Sequence, residues 1–213
     1  MNAVAIVTAK RFTQAKQRLA GSVGEDERLR LVEAMLGDVL DSVGRSRMID
    51  KTIVVSGEQA AAKLADDLGA EVIHDPEDAS HSGAASLGVD RAIELGATCV
   101  VLLPGDCPLL DPRELDRLLT GLPTPFVTVV PDRHGTGTNA LVLSPPRAIT
   151  PAFGEGSCER HLALARDAEI PHTSEELPGL ALDLDTPADL VALTTRIDMG
   201  NAEAPRTAKA LGI

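Results

Sequence analysis

Cys99-Val100-Val101-Leu102-Leu103-Pro104-Gly105-Asp106-Cys107-Pro108 is the stretch on which the reading of this chain turns. An unbroken apolar run from Cys99 to Leu103, closed by Pro and Gly, is the pattern of a strand buried on both faces, as in the middle of a parallel sheet. Upstream, Ala3 to Thr8 is a second such run, and Thr52 to Val55 and Glu71 to His74 read as shorter strands. Helical patterns separate them. From Glu25 to Val43 the residues Leu29, Val32, Met35, Leu36, Val39, Leu40 and Val43 recur at three- and four-residue steps, which marks an amphipathic helix. Gln59 to Leu68 is an Ala-rich helix stopped at Gly69, and residues 83–95 form another that ends at Gly96. Downstream, Asp111-Pro112-Arg113-Glu114 supplies an N-cap, a first-turn proline and a capping acid, so a helix runs to about Leu119.

Beyond Gly121 the texture changes. Phe126 to Val130 and Ala140 to Leu143 read as strands around a Gly/Thr loop, a helix is expected from Ser157 to about Ala168, and Ala181 to Leu184 as a last strand. Thr186-Pro187-Ala188-Asp189 then opens a further helix. Strands alternating with helices predict an α/β fold, a mostly parallel central sheet with right-handed crossovers and flanking helices. We expect one domain over residues 1–195 and a loosely held tail over 196–213.

Composition narrows the function. The chain has 213 residues and a formal charge of −12, with three Phe and neither Trp nor Tyr. That charge opposes a nucleic-acid partner, whose binding relies on basic surface and counterion release, and base-stacking platforms are missing. Cys99, Cys107 and Cys158 have no disulfide or zinc spacing. A secretory leader and an apolar run of membrane length are both lacking, so a cytoplasmic protein without a membrane partner is expected. Monomer and homodimer stay open.

In parallel sheets ligands sit beyond the carboxyl ends of the strands, so the loops there are where chemistry is sought. The loop after the first strand carries Lys10, Arg11, Lys16 and Arg18, while no acid precedes Glu25. Such a loop can neutralise a triphosphate, although a solvated basic patch would look the same. Asp106 faces the same edge, and Asp183 and Asp185, two apart on the expected last strand, would point one way; magnesium is held by one or two such carboxylates plus phosphate oxygens. Capping or pairing with Arg is the alternative for these acids. Asp132-Arg133-His134-Gly135-Thr136-Gly137-Thr138-Asn139 and Phe153-Gly154-Glu155-Gly156-Ser157 concentrate glycine and hydroxyls, the second opening onto a helix whose N-terminus suits an anion. His161 shares a helix face with Ser157, but the histidines are otherwise scattered without metal spacing.

These residues resemble a known family. Ala9-Lys10-Arg11 with Ala15-Lys16-Gln17-Arg18-Leu19-Ala20, Glu33 to Leu40, Gly105-Asp106-Cys107-Pro108-Leu109, Gly135 to Leu141, Phe153 to Ser157 with Arg160-His161-Leu162, and Leu182 to Leu190 are similar to the CofC-type guanylyltransferases of coenzyme F420 biosynthesis. The resemblance covers nearly all of the chain to about residue 195. It implies a Rossmann-like, MobA-like nucleotidyltransferase that uses GTP and magnesium to guanylylate 2-phospho-L-lactate, phosphoenolpyruvate or 3-phospho-D-glycerate, releasing pyrophosphate. It places the phospho-acid at Thr138, Gly154 and Ser157, and the nucleotide at Thr8, Ala9, Lys10, Lys16, Gly83 and Ser86. Asp106, Asp183 and Asp185 become metal ligands, with Lys16, Arg18 and Asp106 catalytic. Between Ser82 and Leu87 the chain departs from the Asn-containing stretch expected beside the nucleoside. Other readings are a molybdopterin, sugar or cytidylyl transferase of the same fold, a glycosyltransferase with Asp183-Leu184-Asp185 as its D-x-D, or a silent nucleotide-binding module.

Overall fold

The computed structural model describes residues 1–10, 12, 16, 24–75, 80–200 and 203–213. Its strands are β1 (Ala3–Ala9), β2 (Lys51–Ser56), β3 (Glu71–His74), β4 (Cys99–Pro104), β5 (Phe126–Pro131), β6 (Thr138–Ser144) and β7 (His172–Ser174). The helices are α1 (Glu25–Arg45), α2 (Gln59–Asp67), α3 (His81–Glu94), α4 (Pro112–Leu119), α5 (Ser157–Asp167), α6 (Pro187–Asp198) and α7 (Pro205–Leu211). One sheet runs in the order β3-β2-β1-β4-β6-β5-β7. Neighbours are parallel except where β6 lies antiparallel to both β4 and β5.

Alternation along β1 shows how the layers are made. Ala3, Ala5 and Val7 enter one apolar cluster with α1, α4 and the leucines at 180, 182 and 184, while Val4 and Ile6 enter a second with α3 and α5. Successive side chains on a strand face opposite ways, so a strand apolar at every position holds helices on both sides of the sheet. Gly88 sets the spacing of α3: a Cβ there would stand 2.3 Å from Ile6 Cγ2, so a glycine lets this helix lie close against β1. All three cysteines are free and buried. No helix among the described residues is long and apolar enough to cross a membrane.

Two expectations are corrected. Residues 181–184 form no strand; the edge of the sheet is instead β7, paired in parallel with β5. Leu180, Leu182 and Leu184 alternate because they pack into the core, and the Leu184 N–H reaches the Asp106 carbonyl at 3.4 Å without a ladder forming. The tail, expected to be loosely held, folds as α7 and docks on α1. Asp38 of α1, 2% exposed, accepts the backbone N–H groups of Arg206 (3.0 Å) and Thr207 (2.8 Å) at the start of α7. The Arg206 side chain bonds Asp41 at 2.7 Å and lies over Gly37. The expectation failed because a seven-residue helix held by polar caps carries too little periodicity to be seen.

Candidate active site

β1, β2 and β4 end together, with Thr8 in register with both Val55 and Pro104. The Gly105 N–H donates to the Thr8 carbonyl at 3.1 Å, tying the turn after β4 to the end of β1. A Cβ on Gly105 would lie 3.0 Å from Leu36 Cδ1 and 3.3 Å from that carbonyl, so glycine permits the approach. Over this edge opens a cavity of about 250 Å³. Thr8, Ala9, Lys10, Lys16, Asp106 and Asp185 line it, on an apolar floor of Val32, Leu36 and Val55. The loop after β1 is held from outside: the Phe12 N–H donates to Glu58 at 3.2 Å, and Arg28 donates to the Phe12 carbonyl at 3.1 Å.

Lys16 is the centre of the electrostatics. Its ammonium donates to the Asp106 carboxylate and, at 2.8 Å, to Asp185. Burial would lower the lysine pKa, but Asp106 and Asp185 outweigh it and raise it above the ordinary value. Burial likewise pushes the Asp106 carboxyl up, and Lys16 more than reverses this. Asp183 stands behind the pair. Burial, then repulsion from Asp106, raises its pKa, with Asp185 adding to the effect. Asn139 holds it from the other side, its amide donating to the Leu180 carbonyl at 2.7 Å and to Asp183 at 3.4 Å. Asp185 is aimed by its neighbours as well: its N–H and that of Thr186 donate to Asp189 at 3.1 and 2.6 Å, and Arg133 pairs with Asp189 at 2.5 Å.

Lys16 thus pairs with two acids while a third, Asp183, is close enough to feel their charge, a local excess of negative charge that a divalent cation would relieve. Among the described residues no three His, Cys, Asp or Glu side chains stand together at metal-holding spacing. The donor set nevertheless fits magnesium. Hard carboxylate oxygens of Asp106 and Asp185 converge on one cationic point, and this ion takes one or two such ligands and leaves the rest to phosphate and water.

The other group of expected residues lies to one side. Because β6 runs against β4, its first residues, Thr138 and Asn139, fall at the edge where β4 ends. Thr138 Oγ1 lies 3.1 Å from His161 Nδ1, and the Ala152 N–H donates to His161 Nε2 at 2.9 Å. Gly154 and Gly156 have φ of 116° and 68°, the left-handed half of the map that glycine enters without strain. Ser157 is 1% exposed, and its hydroxyl makes no hydrogen bond among the described residues. The helix terminus itself is partly taken: the Ser157 N–H donates to the Gly154 carbonyl and the Cys158 N–H to the Thr136 carbonyl. Anion recognition by free first-turn amides is therefore narrower than the sequence suggests, and Ser157 is the first helical residue, with Gly156 as cap.

Thr138, Gly154 and Ser157 are brought together but do not line the cavity; the two regions meet through rings. Phe153 stacks on His81, a cavity-lining residue, with centroids 4.1 Å apart, and meets His161 edge-on at 5.1 Å. Gly83 and Ser86 are placed elsewhere. The Gly83 N–H caps onto Ser80 Oγ, and the Ser86 hydroxyl turns back to the Ser82 carbonyl, so α3 presents Ser80, His81 and Ala84 to the cavity instead. Arg11 and Arg18 lie outside the described residues. His81 and Phe153 carry no local signal of their partnership, being far apart in the chain.

A mostly parallel sheet with a lysine bridging two aspartates in a cavity beyond its strand ends is an arrangement that suits a nucleotidyltransferase. A nucleotidyl transferase from Methanothermobacter thermautotroptrophicus superposes with a TM-score of 0.69 over 94% of this chain and 99% of that one, at 18% identity, which speaks for the fold. The family model "Guanylyl transferase CofC like" matches residues 3–203. A phosphoenolpyruvate guanylyltransferase of Conexibacter woesei is 43% identical over 210 residues, 97% of this chain and 94% of that one. Another, of Sphaerobacter thermophilus, is 38% identical over 200 residues, 94% of this chain and 96% of that one. The chain belongs to the CofC-like guanylyltransferase family.

Proposed function

We propose that this enzyme transfers GMP from GTP to phosphoenolpyruvate, releasing pyrophosphate, as a step of coenzyme F420 biosynthesis. The observation that carries the reading is the Lys16 ammonium held between Asp106 and Asp185 at the mouth of the cleft. The relatives' names favour phosphoenolpyruvate over 2-phospho-L-lactate and 3-phospho-D-glycerate.

In this reaction an oxygen of the acceptor's phosphate attacks the α-phosphorus of GTP in line. A new P–O–P linkage forms, the bond from the α-phosphorus to the bridging oxygen breaks, and its electron pair leaves with pyrophosphate. The attacking oxygen is already anionic, so no general base is needed and the protein's task is orientation and charge stabilisation. Lys10 and Lys16 bring positive charge to the triphosphate, with Arg18 of the same loop. Asp106 and Asp185 would hold magnesium with Asp183 behind them, and the ion when bound neutralises phosphate charge. Thr138, Gly154 and Ser157 hold the acid, and Thr8 and Ala9 border the nucleotide.

The test is pyrophosphate release from GTP with each of the three acids, with and without magnesium. Phosphoenolpyruvate should give the highest kcat/KM, and chelation should abolish the rate. Asp106→Asn should lose at least about a hundredfold in kcat with its thermal midpoint near that of the parent. Turnover without metal, or near-normal rates in that variant, would remove the assignment.

A further inference from the structure

His161 is fully buried and has a partner on each ring nitrogen. Those partners decide where its proton is. A backbone amide can only donate, so the Ala152 N–H requires an unprotonated Nε2, and in the neutral ring the hydrogen is on Nδ1. Burial, then the neighbouring Arg160 and His81, hold the ring's pKa down at about 4, so it is neutral at pH 7. Nδ1 therefore donates to Thr138 Oγ1, 3.1 Å away. The Thr138 hydroxyl has no other partner among the described residues, which leaves its own hydrogen to be offered outward. A half-turn of the ring would put carbon atoms where both nitrogens now bond, so the two hydrogen bonds hold it in this orientation, with Phe153 edge-on beside it.

We propose that His161 is a positioning residue for the acceptor: by donating to Thr138 it leaves that hydroxyl's own hydrogen free to point outward, so the acceptor site offers a donor suited to an anionic oxygen. A threonine beside an unprotonated Nδ1 would spend its hydrogen on the ring; this one keeps it for the acceptor. The phosphate or carboxylate oxygen of a phospho-acid meets that hydrogen. The inference rests on the proposed function and adds to it the polarity of the acceptor site.

Two replacements separate the ring's two bonds. His161→Gln can place an oxygen near Nε2 and keep the Ala152 bond while losing the donor to Thr138. His161→Asn can place its amide near Nδ1 and keep that donor. In His161→Gln the KM for phosphoenolpyruvate should rise about tenfold or more, with the KM for GTP within about twofold of the parent. His161→Asn should recover most of the loss, and Thr138→Val/His161→Gln should be no worse than Thr138→Val alone. Equal defects in the Gln and Asn variants, a matching rise in the KM for GTP, or additive effects in the double variant would overturn the proposal. Nitrogen-15 NMR of the imidazole supplies a readout independent of turnover: a spectrum with the hydrogen on Nε2 overturns it too. A wild-type enzyme that turned over none of the three acids would defeat the proposed function, while that spectrum would still decide the direction of the Thr138 hydrogen bond.

Discussion

Lys16 offsets the mutual repulsion of Asp106 and Asp185, and its side chain is only 6% exposed while doing so. Lys16→Met should cost about 1–3 kcal/mol of stability at pH 7, below the value for a fully enclosed pair because Asp185 is half open to water. The same variant should bind manganese or magnesium more tightly than the parent when nucleotide is absent, since the competing ammonium is gone; calorimetric titration of the two proteins checks this. His161 makes a prediction of its own. Its folded pKa of about 4 lies below the ordinary 6.5, so between those values the unfolded chain binds a proton that the folded chain refuses. Stability should accordingly fall as pH is lowered from 6.5 toward 4, with His81 adding in the same direction. Urea midpoints across that range should decline less steeply in His161→Gln than in the parent. That Lys16, Asp106 and Asp185 meet at one edge was legible because each follows a buried apolar segment. The stacking of His81 on Phe153 was not, because nothing local links rings so far apart in the chain.

At the scale of the element, two glycines in helices make opposite predictions. Gly88 in α3 faces Ile6 with no room for a methyl group, and Gly88→Ala should destabilise by about 1–3 kcal/mol despite the better helix former. Gly44 in α1 meets nothing within 4 Å, and Gly44→Ala should stabilise by about 0.5–1 kcal/mol. Chemical denaturation of both variants tests the pair. Periodicity and capping made most elements readable: α4 starts at Pro112 behind the Asp111 cap, and α6 opens with Thr186 and Asp189 in reciprocal capping bonds. Residues 181–184 misled because alternation between apolar and polar residues reports burial of one face, and the core can satisfy that without a ladder. Ser86 and Gly83 do not line the cavity for a different reason. Their placement came from the family resemblance in a stretch that departs from the family pattern, and α3, which starts at His81, turns Ser80, His81 and Ala84 to the cavity.

Across the whole molecule, the C-terminal helix closes the back of α1 while Val32 and Leu36 on the same helix floor the cavity. Removing residues 203–213 would strip Asp38 of both backbone donors in a buried setting, and a loss of about 2–4 kcal/mol is expected in urea unfolding. The antiparallel course of β6 has its own outcome. Under the proposed function, groups toward the nucleotide would come chiefly from the chain up to Asp106 and those toward the acid from Thr138, Gly154 and Ser157, so two lengths of polypeptide would divide the labour. Such an enzyme is open to recombination at a natural seam. A chimaera carrying residues 132–161 of a relative with a different acceptor should inherit that relative's preference and keep its affinity for the guanine donor.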